Sequence, residues 1–267
     1  MTIRRGYIDG PFGQLHYRAV EGSGAGDGVP LILSHQSPSS SMQFIAGLEP
    51  LAALGLKVVA VDTPGYGCSD LPAHRPSVID YSKMFAPVMD HFHWSAANLL
   101  GHHTGAANVT AFAVREPKRV LKLILNGPPV FTPEERAERL PKPGPIAIES
   151  DGSHLSKRFQ GRVNVTVGWT RLDAMQKNFM QTLWAGETFW YGHKAAYEYD
   201  MMTDFMALKA PTLILSNSTD DIYHLAQRAR QLRPDMAYAE LSGGTHDIVD
   251  EQPEAWAAAV AQYLKSA

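Results

Sequence analysis

Leu99-Leu100-Gly101-His102-His103-Thr104-Gly105-Ala106-Ala107 is the stretch whose reading decides the fold. The apolar run that ends at Leu100 fits a buried strand, and the small-residue pattern after Thr104 predicts a helix. Between them lies a G-x-x-x-G turn, the layout of a nucleophile elbow. Its glycines matter because residues two before and two after the centre of so sharp a turn pass close together. Centring the turn on His103 puts glycine on both sides. Centring it on Thr104 would bring His102 and Ala106 together and force a β-branched residue into a strained backbone state.

Outward from this turn, short apolar runs predict strands over 5–9, 15–20, 31–34, 57–61, 97–100, 120–125, 212–216 and 237–241. Helical patterns fall over 42–54, 77–91, 104–115, 222–232 and 254–264. Such alternation predicts an α/β fold, a mostly parallel eight-stranded sheet with helices on both faces. From 131 to 206 no buried-strand run is evident, while Leu172, Met175, Phe179, Met180, Leu183 and Trp184 recur at helical spacing. The expected organisation is therefore a core of 1–130 and 207–267 carrying an inserted helical region, 131–206. Its Met and aromatic stripe reads first as packing onto the core, and also as a roof over an apolar pocket.

Composition narrows the function classes. The 267 residues carry 24 basic and 27 acidic side chains, a formal net charge of -3, and lack the basic footprint that nucleic acid requires. One cysteine, Cys68, excludes an internal disulfide and a cysteine-rich zinc module. The N-terminal stretch has no apolar h-region, which predicts a cytoplasmic protein. The longest stretch without Asp, Glu, Lys or Arg, from His91 to Val114, holds four histidines and two glycines and is no membrane span. A small-molecule substrate is the expected partner, and a homodimer is left open.

With these residues in view, the chain resembles the α/β-hydrolase superfamily, in the cap-bearing branch of haloalkane dehalogenases, epoxide hydrolases and C–C-bond hydrolases. Ser34-His35-Gln36-Ser37-Pro38 resembles the oxyanion loop after the third strand, with Gln36 in place of the usual glycine. Asp62-Thr63-Pro64-Gly65-Tyr66-Gly67-Cys68-Ser69-Asp70 is similar to the family's D-x-P-G-x-G-x-S-D turn, and Arg115-Glu116-Pro117-Lys118-Arg119-Val120 to the run into the sixth strand. The resemblance covers nearly the whole chain. It implies that the strand Pro211-Thr212-Leu213-Ile214-Leu215 precedes the triad acid, aligned with Asp220, and that Gly243-Gly244-Thr245-His246-Asp247 presents the base, His246. Asn126 sits near an acid position of some relatives and cannot ionise.

The departure is His103, where the family has Ser, Asp or Cys. Imidazole acts as nucleophile, through an acyl-imidazole, or as general base. In this reading Asp220 orients His246 only, and His103 faces the same pocket. Backbone N–H groups of Ser37 and Thr104 are the expected oxyanion donors. His35, Gln36, His102 and Trp184 are pocket candidates, with His35 and His102 read first as packed neighbours. His91 and His93 read as a solvated helix end. A metal held by His103, His246 and Asp220 is the lesser alternative, since no HExxH or HxxEH spacing occurs. The expectation is a cofactor-free hydrolase acting on an ester, a lactone or a C–C bond next to a carbonyl. A lyase or isomerase using the histidine pair, and a binding protein that lost its nucleophile, stay open beside it.

Overall fold

The alternating runs form one sheet in the computed structural model, which describes residues 2–21, 28–166, 168–169 and 171–266. Its strands are β1 (Arg4–Gly10), β2 (Gly13–Val20), β3 (Val29–Ser34), β4 (Leu56–Val61), β5 (Ala97–His102), β6 (Val120–Asn126), β7 (Thr212–Asn217) and β8 (Ala237–Leu241). The order is β1-β2-β4-β3-β5-β6-β7-β8. β1 pairs antiparallel with β2 and β2 antiparallel with β4; every later pairing is parallel.

Side chains alternate across the strands, so both sheet faces are apolar and need cover. Leu31, Leu33, Leu100, Ile124 and Leu215 face a core completed by α1 (Ile45–Ala53) and α12 (Pro253–Lys265), with Trp256 fully buried. Ile32, Leu99, Leu123, Leu125 and Ile214 face the other side. There they meet α2 (Val78–Ser82), α3 (Phe85–His91), α4 (Thr104–Arg115) and α10 (Tyr223–Leu232). The short helix α11 (Ile248–Glu251) follows the His246 loop.

The single helix expected over 77–91 is two helices. Pro87 has no N–H to bond the carbonyl of Lys83, and the chain breaks there, between α2 and α3. His91 and His93 are exposed at the end of α3, where His93 takes a positive φ of 57°.

Between β6 and β7 lie α5 (Pro133–Arg139), α6 (Ser153–Val165), α7 (Leu172–Trp184), α8 (Tyr191–Glu198) and α9 (Met201–Ala207). Thr132 and Glu135 form a capping box at the start of α5, and Arg228 of α10 clasps Glu135 at 2.5 and 2.8 Å. Ala195, Met201 and Phe205 are buried in the α4-side core, which anchors the end of the insertion. Among the described residues, no helix is long and apolar enough to cross a membrane.

Candidate active site

At the end of β5 the backbone turns through His103 (φ 49°, ψ −113°) directly into α4. A Cβ on Gly101 would fall on the backbone of Gly105, and one on Gly105 on the carbonyl of Ser34, so no larger residue fits the crossing. The elbow is thus centred on His103, and a non-glycine residue holds a strained conformation at the mouth of a cavity.

The imidazole does not stand straight out of the turn. It lies over the end of β6, where a Cβ on Gly127 would be 2.6 Å from His103 Cδ2 and 2.8 Å from Nε2. There Nε2 donates to Asp220 Oδ2 at 2.7 Å. This corrects the expected pairing: Asp220 orients His103, not His246. A histidine at the elbow is long enough to reach the acid itself, so it fills the gap otherwise bridged by a second imidazole.

The electrostatics follow from the pairing. Burial disfavours the imidazolium of His103, but the charge and hydrogen bond of Asp220, helped by Asp221 and Asp247, outweigh it and raise the pKa. Burial likewise works against the Asp220 carboxylate, yet His103 holds its pKa far below the usual range. Asp221 is pushed up by burial and by its hydrogen bond to Asp220. The carboxylate is further held by Asn217 Nδ2 at 3.3 Å and the Ile222 N–H at 3.1 Å.

His246 reaches the same cavity as His103, but in another setting. Its Nε2 accepts from Arg162 Nη1, and the other guanidinium nitrogen bonds Asp247 Oδ2. Arginine only donates, so His246 is neutral with its proton on Nδ1. Burial pushes its pKa well below the usual value, and Arg162 pushes the same way. Burial lifts Asp247 up to about 6 despite Arg162. Asn178 and Lys177 of α7 bond Asp247 and Asp250 at 3.0 and 2.5 Å, so α6 and α7 are both tied to the His246 loop.

Ser37 and Thr104 meet, though not as two free backbone donors. The Ser37 N–H is taken by Thr104 Oγ1 at 2.7 Å, which corrects its assignment as an open oxyanion donor. Among the described residues the Thr104 N–H, at the start of α4, has no hydrogen-bond acceptor. Gln36 lines the cavity and donates Nε2–H to the His246 carbonyl at 3.2 Å. His35 braces the loop, with Nδ1 on the Gln36 carbonyl and Nε2 accepting the Thr63 N–H. Trp184 is not in this cavity: it is 72% exposed and donates to the Gly67 carbonyl, because its face of α7 turns outward.

His102 is fully buried beside His103 but is not part of the cavity lining. The Gln36 N–H fixes Gln43 Oε1, so Gln43 Nε2 donates to His102 Nδ1 and the His102 proton sits on Nε2. That tautomer bears on metal binding. Donor atoms of His102, His103 and Asp220 lie within 4.8 Å of one another, but His102 Nε2 has no lone pair to offer. His246 does not belong to the cluster. The His16, Asp62 and Cys68 cluster is a turn buckle, since Asp62 accepts from His16 Nδ1 and the N–H groups of Cys68 and Ser41. Neither donor set suits a metal ion.

The cavity measures about 250 Å³ and is lined by His103 and His246 together with Arg139, Arg162, Asn178, His193 and Tyr197 from the segment between β6 and β7. Burial and His103 push His193 down to about 4, so it is neutral. Sequence reasoning missed Arg139, Arg162, His193 and Asn217. Asn126 Nδ2 donates to Asn217 Oδ1 at 3.0 Å, and Asn217 Nδ2 to the Thr245 carbonyl at 2.7 Å. Two asparagines closing adjacent apolar strands were a usable signal for that chain; a lone arginine in a polar helix was none.

Comparison with known proteins agrees with this fold. Residues 29–145 match the family model described as alpha/beta hydrolase fold. A 2-hydroxy-6-oxononadienedioate/2-hydroxy-6-oxononatrienedioate hydrolase of Pseudomonas putida is 37% identical over 126 residues, 47% of this chain and 43% of that protein. The match thus spans less than half the length of that relative. A non-heme haloperoxidase of Rhodococcus erythropolis is 28% identical over 76% of this chain and 79% of its own. The enol-lactonase of Burkholderia xenovorans LB400 superposes with a TM-score of 0.80 at 18% identity, covering 98% of this chain and 100% of that one.

Proposed function

We propose that this chain, which has the α/β-hydrolase fold, belongs to that superfamily and hydrolyses an ester, a lactone or a C–C bond next to a carbonyl, without a cofactor. The observation that carries this reading is the His103–Asp220 pair, set at the elbow with His103 lining a cavity. The relatives include hydrolases of a keto-dienedioate and of an enol-lactone, which supports the carbonyl class.

Asp220 accepts the Nε2 proton, so the basic lone pair of His103 is on Nδ1. Nδ1 adjoins the ring carbon that carries Cβ and is crowded as a nucleophile; taking a proton demands less room. A water molecule adds its oxygen to the substrate carbonyl carbon and passes its proton to Nδ1. Collapse of the tetrahedral intermediate expels the leaving atom, which takes that proton back from the imidazolium. Asp220 keeps the ring in place and offsets its charge without being protonated. The insertion over 131–206 acts as the cap, with Phe131 and Tyr197 for an apolar or aromatic part of the substrate. His246 holds Arg162 in this arrangement, and serves as a base only if Arg162 withdraws.

Turnover of a panel of aryl esters, small lactones and β-diketones tests the reading. His103→Ala should lose activity on the order of 10²-fold or more while still binding the substrate. Quenched-flow mass spectrometry should find no acyl adduct on the wild type. An inactive panel or a fully active His103→Ala overturns the function, and an adduct on His103 overturns the general-base form.

A further inference from the structure

We propose that the side-chain hydroxyl of Thr104 is the donor that meets the developing oxyanion, in place of the Ser37 backbone N–H; this rests on the hydrolase reading above. An oxyanion donor must be free to turn toward the substrate oxygen. The Ser37 N–H is not free, because Thr104 Oγ1 sits on it at 2.7 Å. That oxygen therefore stands where an oxyanion would otherwise accept the bond.

The Thr104 hydroxyl proton is differently placed. It points to Ser37 Oγ at 3.1 Å, the longer of the two bonds between these residues. Turning the O–H toward a substrate oxygen moves no heavy atom, whereas freeing the Ser37 N–H requires the Thr104 side chain to rotate away. Thr104 and His103 line the same cavity, adjacent in the chain at the start of α4. The Ser37 N–H, by donating to Oγ1, polarises the Thr104 O–H toward the substrate. The unpaired Thr104 N–H lies on the same residue and adds a second donor.

The arrangement makes Thr104 a catalytic residue, and three substitutions separate it from a plug or a scaffold. Thr104→Val keeps the shape, Thr104→Ala empties the space beside the Ser37 N–H, and Thr104→Ser restores the hydroxyl. On whichever panel substrate the wild type turns over, Thr104→Val and Thr104→Ala should lower kcat by about 10²–10³-fold with KM little changed. Thr104→Ser should stay within about threefold of wild type. Activities are referred to the folded fraction measured by thermal unfolding, so an unstable variant is not misread as an inactive one. A rise of kcat in Thr104→Ala overturns the proposal, because Thr104 would then block the Ser37 N–H. Unchanged kcat in Thr104→Val also overturns it, leaving a residue that only starts the helix. If the wild type turns over nothing on the panel, the hydrolase reading fails and takes this proposal with it. If the wild type is active and His103→Ala is dead while the Thr104 variants keep full activity, this proposal alone fails.

Discussion

Replacing Asp220 by Asn probes the pair at the centre of the site. All its hydrogen-bonding partners are donors: His103 Nε2 at 2.7 Å and Asn217 Nδ2 at 3.3 Å on Oδ2, and the Ile222 N–H at 3.1 Å on Oδ1. An amide has one oxygen, so its NH2 group meets a donor in either orientation. With the oxygen toward His103, the Ile222 N–H loses its acceptor at about 1–3 kcal/mol. Turned round, the amide forces the His103 proton onto Nδ1, the nitrogen needed as base. Either way the charge is gone. Two unit charges 2.7 Å apart attract by about 6 kcal/mol at an effective dielectric near 20, which is a ceiling. The net value of a hydrogen bond to a charged group, about 1.5–3 kcal/mol, is the floor. Turnover should fall on the order of 10²–10⁴-fold. Asp221→Asn should cost less than about tenfold, because the His103 Nε2 proton is accepted by Asp220 and not by Asp221.

The check is an NMR titration of the His103 imidazole beside initial rates. In Asp220→Asn the His103 pKa should drop, since burial is no longer outweighed, and the acid limb of the rate profile should move to lower pH. Stability gives a second reading. A raised histidine contributes stability below its unfolded pKa of about 6.5 and loses it as pH rises through the folded value. A depressed aspartate contributes above about 3.9 and loses it as pH falls through its folded value. The wild type should therefore exceed the variant most between about pH 4 and 6.5. Equal losses in the two variants, or an unmoved His103 pKa in Asp220→Asn, would refute the pairing.

Gly127→Ala should strain a backbone at φ 58° by about 1–2 kcal/mol and push the His103 ring off Asp220. Rates should fall by about 10–10²-fold; an unchanged rate would show that the ring does not need its place over β6. Arg162→Gln should raise the His246 pKa and lower the melting temperature, the loss being larger above pH 6, where Asp247 is ionised and left unpaired. Histidine NMR and thermal unfolding at two pH values check this, and an equal loss at both would sink the tie between Arg162 and Asp247.

The elbow was legible in the chain because its cause is local. Gly101 and Gly105 must cross within a few residues, and a histidine between them is read from spacing alone. The strands were legible for a similar reason, since period-two apolar runs such as Leu31 to Leu33 record which faces are buried. Even the break between α2 and α3 was written in Pro87, though the helical periodicity across it concealed the effect.

The partners of the polar groups were a different matter. Asp220 and His246 are each presented by a recognisable turn, but whether Asp220 reaches His246 or His103 depends on where loops distant in sequence come to rest. The reach of an imidazole over Gly127 settled it in favour of His103. Arg162 and His246 are 84 residues apart, and Thr104 and Ser37 are 67 apart. Hydrogen bonds act over about 3 Å and leave no periodic trace along a chain, whereas apolar burial does. The sequence by itself therefore determined the sheet, its elbow and the identity of the candidate groups. Only the tertiary structure decided their pairing, because it is set by short-range geometry between segments that the chain keeps far apart.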